Sequence, residues 1–186
     1  LPQAPPDCAL APTHNLIYSV NNHAKSARVD VYTDGRIEWE AGGKDHSWIS
    51  LSGIVYKNDG RNYLSLSNGW QHYSGTNGYW APAEYSCADG LVVVSGLVKN
   101  GNWGDIGTLP SGCRPRHNLI FSQNNHANQA RVDVYTDGRI HWEAGGKDHS
   151  WISLSGIVFS TTDASLLPLS NGWQHYSGTN GYWAPA

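Results

Sequence analysis

Residues 68–80 read Asn-Gly-Trp-Gln-His-Tyr-Ser-Gly-Thr-Asn-Gly-Tyr-Trp and recur unchanged at 171–183. Four aromatic rings and an imidazole among Gly, Asn and Thr suit a sugar. A pyranose offers an apolar C–H face that lies on an aromatic ring and a rim of hydroxyls that calls for amide, carboxylate and imidazole partners. A second segment, Gly42-Gly43-Lys44-Asp45-His46-Ser47-Trp48, recurs at 145–151 and adds an Asp, a His and another ring. The third, Asn21-Asn22-His23 with Asn124-Asn125-His126, reads as turn-capping amides. One ligand site is therefore expected on Asp45, His46, Trp70, His72, Tyr73 and Asn77, and an equivalent one on Asp148, His149, Trp173, His175, Tyr176 and Asn180. In each, Trp stacks on the sugar while His, Asp and Asn bond its hydroxyls.

Other chemistries find less support. The nine His show no HxH or HExxH spacing, and no CxxC occurs, so no metal and no cofactor is expected. There is no GxSxG and no phosphate loop. Asp30 and Glu40 could in principle face each other as a glycosidase pair, but as outward residues of one hairpin they read as solvated charges. Charged residues are 15% of the chain, net charge is −3, and the 12 Lys and Arg are scattered, which argues against a nucleic-acid partner. No apolar run approaches a membrane span. Three cysteines permit a bridge from Cys87 to Cys113 or from Cys8 to Cys87 and leave one thiol over, or all three stay reduced and buried; an oxidising, extracellular setting is expected.

The elements that must position these residues come from a duplication. Residues 14–83 align with 117–186 at a constant offset of 103, with 56 of 70 positions identical. Nine of the 14 differences fall in 56–65 against 159–168, which reads as a tolerant connector. The chain divides into an N-terminal segment 1–13, repeat A 14–83, a single-copy insert 84–116 and repeat B 117–186. Period-two alternation around Asp34-Gly35 predicts a hairpin over 28–40 with a type I′ turn, Trp39 and its copy Trp142 lying on the inner face. Residues 48–56 and 151–159 read as further strands, with Gly53 and Gly156 as bulges. No helical period is present, so the fold is expected to be all-β, a tandem antiparallel sandwich of jelly-roll type with two pseudo-equivalent lobes.

The succession Trp70, Tyr73, Tyr79-Trp80-Ala81-Pro82, then 90–98, then Ile106-Gly107-Thr108-Leu109-Pro110 with Gly112-Cys113-Arg114-Pro115, then 132–140 and 151–157 resembles the β-sandwich head modules of phage tail fibres and collagen-like surface proteins. The resemblance implies a jelly-roll-like module over 68–160 and glycan binding, often as trimers; it assigns no binding residue. It also makes 14–56 and 170–186 two half modules, expected to pair within the chain, with 1–13 standing in for a second insert, or to exchange between chains. The expected protein is a secreted, non-enzymatic lectin with glycan partners and a capacity to form homo-oligomers. The competing classes are an adhesive matrix repeat without a pocket and a glycan-cleaving enzyme.

Overall fold

Alternating apolar residues broken every few positions by Gly, Asn and Asp give fifteen short strands and one 3-10 turn at Ser111–Cys113 in a computed structural model describing residues 11–162 and 164–185. Repeat A opens with β1 (Leu16–Asn22), β2 (Lys25–Val31) and β3 (Ile37–Gly42), then β4 (Arg61–Tyr63), β5 (Ser65–Leu66) and β6 (Gln71–His72). The insert supplies β7 (Glu84–Ala88), β8 (Leu91–Ser95), β9 (Leu97–Lys99) and β10 (Asp105–Thr108). Repeat B supplies β11 (Leu119–Asn125), β12 (Asn128–Val134), β13 (Arg139–Gly145), β14 (Trp151–Ser153) and β15 (Ile157–Ser160).

One complete sandwich uses all three sources. A sheet of order β11-β12-β13-β10-β5 faces sheets of order β15-β8-β7-β4 and β14-β9-β6, every pairing antiparallel. Between them Val92, Val94 and Val98 from the insert meet Val132, Val134, Ile140, Ile152 and Ile157 from repeat B, all fully buried. Cys87 and Cys113 form a disulfide, Cα–Cα 5.8 Å, tying β7 to the turn after β10; Cys8 lies outside the described residues. Closing a loop of 26 residues restricts the unfolded chain by roughly 3.5 kcal/mol. The Cys87→Ser chain is thus expected to lose about that much in urea unfolding, and a midpoint equal to that of the intact chain would refute it.

Repeat A's remaining strands make a separate sheet, β1-β2-β3, over a smaller cluster of Leu16, Tyr18, Val20, Ala27, Val29, Val31 and Ala81. The hairpin forms as expected, but its turn differs. Gly35 alone has positive φ (+85°), and Tyr32 receives the Gly35 N–H and donates its own to Arg36, the geometry of a longer loop with a glycine bulge rather than type I′. Asp34 instead binds the Arg36 backbone N–H and guanidinium.

The copies part company where the insert is missing. Residues 151–160 form β14 and β15 because β9 and β8 lie beside them, whereas 48–56 carry only one bridge, Ser50 to Asn21. Gly53 and Gly156 sit in the intervening turns with φ of +93° and +99°. Trp39, expected inside, is 41% exposed, because no counterpart of β10 covers β3. Among the described residues no strand pairing or bridge joins 14–56 to 170–185, contrary to the expected closure: Asn118 bonds Tyr182 and Ala184, so the C-terminal segment runs along its own repeat, as Asn15 binds Tyr79 and Ala81 in repeat A.

Candidate functional site

In both repeats a buried asparagine shapes the Asp-His loop. Asn22 Oδ1 accepts the backbone N–H of Asp45 (3.0 Å) and His46 (3.3 Å), while its Nδ2 donates to the carbonyls of His46 and Trp48. Asn125 repeats every bond with Asp148, His149 and Trp151. These amides, read as turn caps, are what hold the candidate site loops. Asp45 is exposed and paired with Lys25 at 2.7 Å, which keeps its carboxyl below the usual range; Asp148 instead accepts from Asn128. His46 lies 4.4 Å from the His23 ring and 5.8 Å from Trp48, all three exposed. His149 lies 4.7 Å from His126 and 5.8 Å from Trp151, all half-buried.

The 68–80 segment goes elsewhere. Trp70 is 5% exposed and packs edge-on against Trp103 at 5.2 Å, which in turn meets Trp142 at 5.1 Å. It is a core ring and cannot stack on a ligand, which corrects the sequence reading. Its copy Trp173 is 78% exposed, because Trp103 belongs to the single-copy insert. Tyr73 is half-buried beneath Lys99 Nζ (4.6 Å), whereas Tyr176 is exposed, as are Asn77, His175 and Asn180. No hydrogen bond, ion pair or ring contact among the described residues joins Asp45 or His46 to Trp70, His72, Tyr73 or Asn77. The strand order explains this: Gln71 and Trp151 both pair with Lys99, so repeat A's aromatic segment adjoins repeat B's Asp-His loop. The expected sites are therefore not two equivalent sets. Asp30, expected to be a solvated charge, is instead buried and bound by the Arg28 guanidinium fork, as its copy Asp133 is by Arg131.

His72 does find an aromatic partner, Tyr63, with ring centroids 5.3 Å apart. Strand β4 is three residues long, so its alternation puts Arg61 and Tyr63 on one face and aligns Tyr63 with Glu84 on β7. Arg61 Nη1 donates to Glu84 Oε1 at 2.6 Å. Next in sequence, Leu64 anchors the strand in the core at 1% exposure. A cleft of about 510 Å³ follows, lined by His14, Asn58, Arg61, Asn62, Tyr63, Pro82 and Glu84. Asn58 shapes one wall, donating to the Ala11 carbonyl and accepting the Thr13 N–H. At its rim the Tyr63 ring is 72% exposed. Partial desolvation lowers the His72 imidazole below its ordinary value, which favours the neutral form with one donor and one acceptor.

Over 55% of its length the chain is similar to the receptor binding protein (gp15) of Listeria phage PSA, known from a crystal structure, at 26% identity and a TM-score of 0.45. The match takes in 65% of that chain, just under two thirds. No protein family matches this sequence, and no curated protein does.

Repeat B has a smaller cleft of about 240 Å³ at the equivalent place, where Ala164, Ser165 and Leu166 replace Arg61, Asn62 and Tyr63. The stretch read as a tolerant connector is thus a cleft wall in both copies. Its divergence was the one signal in the sequence that could have pointed to Arg61 and Tyr63.

Proposed function

We propose that the chain is a non-catalytic carbohydrate-binding protein whose glycan site is the Tyr63 cleft. The observation that carries this reading is the Tyr63 ring, 72% exposed beside the His72 imidazole and lining one cleft with the Arg61–Glu84 ion pair. A sugar ring stacks on Tyr63, its hydroxyls bonding to His72, the carboxylate and the guanidinium. The repeat B cleft, with Leu166 for Tyr63, lacks the stacking ring and takes a different or weaker ligand, so the two copies do not duplicate one specificity. The Cys87–Cys113 bridge fits an extracellular, oxidising location, and no helix among the described residues is long and apolar enough to cross a membrane.

A glycan array tests the reading. The wild-type chain is expected to bind a restricted set of glycans, and Tyr63→Leu, which copies repeat B, to weaken the best of them at least about tenfold, or ~1.4 kcal/mol. A blank array, or binding unchanged by Tyr63→Leu, would remove the proposal.

A further inference from the structure

The two repeats contain the same arginine in two different surroundings. Arg28 grips Asp30 with Nε and Nη2 at 2.7 and 2.6 Å, and Arg131 grips Asp133 in the same fork at 2.8 and 2.7 Å. Each guanidinium also lies on an indole of its own repeat, Arg28 at 5.6 Å from Trp80 and Arg131 at 5.4 Å from Trp183. Arg28 then meets a second ring, Trp151 of repeat B at 5.4 Å, and its Nη1 donates to His126 Nδ1 at 3.1 Å. Arg131 has no second ring among the described residues. Its side chain is 40% exposed against 12% for Arg28.

The neighbours follow the same rule. Ile17 is 2% exposed, its carbonyl accepting from the Ser153 hydroxyl at 2.6 Å, whereas its copy Ile120 is 56% exposed and borders, with Arg131 and Trp183, an open cleft of about 650 Å³. On the opposite face the asymmetry reverses. His23, His46 and Trp48 are exposed where His126, His149 and Trp151 are half-buried, and Asn21 is exposed where Asn124 is 3% exposed. Repeat B thus presents an uncovered arginine face and repeat A an uncovered histidine-tryptophan face. The contact between two such faces is already made once inside the chain, and these residues are identical in the two copies.

We propose that the Arg131–Ile120 face of one chain docks onto the His23–His46–Trp48 face of a second copy, in the arrangement that seats Arg28 on His126 and Trp151. Arg131 then gains its second indole, Trp48, from the partner copy, and the sandwich of one guanidinium between two rings is completed. The Arg, Ile, His and Trp side chains are the same in both contacts, whereas at its border Lys25 and Ser26 exchange places with Asn128 and Gln129, and Phe121 stands for Tyr18. The two faces differ, so the contact is heterologous: successive copies close a ring if the rotation permits and otherwise extend a filament.

Two exposed substitutions on opposite faces test this by sedimentation velocity over a concentration series. Wild type is expected to show species larger than the monomer that grow with concentration. Ile120→Asp, which puts a charge on the arginine face, and Trp48→Ala, which removes the receiving ring, are each expected to remain monomeric. An equimolar mixture is expected to form 1:1 dimers and nothing larger, because each variant retains the one face the other needs. A monomeric wild type at every concentration overturns the proposal, as does Ile120→Asp assembling like wild type or a mixture that forms no dimer.

Discussion

Trp70→Ala is expected to cost about 3–5 kcal/mol of folding stability, and Trp173→Ala to change it by no more than about 0.5 kcal/mol, although the thirteen residues from 68 to 80 are identical to those from 171 to 183. The difference lies entirely in what surrounds each ring. Trp70 fills the space between Trp103 and the backbone at Gly101, where even a Cβ would lie 2.1 Å from the indole. Truncation leaves a cavity that Trp103 and Trp142, held by strands on both sides, cannot collapse to fill. Trp173 meets no such stack and is 78% exposed. Urea denaturation of the two single variants measures both. Equal effects would contradict the assignment of Trp70 to the core.

Arg28→Ala is expected to destabilise the chain by about 3–5 kcal/mol, the range for removing one partner of a buried ion pair. Asp30 is 1% exposed and would be left without its fork, and the contact to His126 and Trp151 would go with it. The sign with pH follows from Asp30, whose carboxyl burial pushes up to about 6 even though Arg28 pulls it down. Without Arg28 it rises further. A carboxyl raised in the folded state contributes stability at low pH and loses it as pH rises through the folded value. The deficit of Arg28→Ala is therefore larger at pH 8 than at pH 5. Arg131→Ala leaves Asp133, 0% exposed, equally without its fork and falls in the same range, without the loss of a second ring and a histidine contact that only Arg28 makes.

The hairpins and the all-β class were legible in the sequence because period two and an Asp-Gly break are local signals, visible at Val29, Val31 and Asp34-Gly35. What could not be read was which copy owns which partner. Trp39 and Trp142 are the same residue on the same strand, yet only Trp142 lies under Trp103, and that fact depends on a pairing between β10 and β13 some thirty residues apart. The candidate site failed for the same reason. Asp45 and Trp70 share a repeat but not a folding unit, because each sheet of the sandwich combines strands of repeat A, the insert and repeat B while β1-β2-β3 stands apart. The shared aromatics are identical between the copies, while the exposed ring at the cleft, Tyr63, sits among the residues that differ.

Binding at the Tyr63 cleft is tested most directly by titrating the isotope-labelled full chain with the best glycan from the array and following side-chain and amide shifts by NMR. Saturable shifts at Tyr63, His72, His14 and Arg61, lost in Tyr63→Leu, are the predicted result. Saturable shifts confined to Trp173, Tyr176 and Tyr182, with the Tyr63 cleft silent, would contradict it.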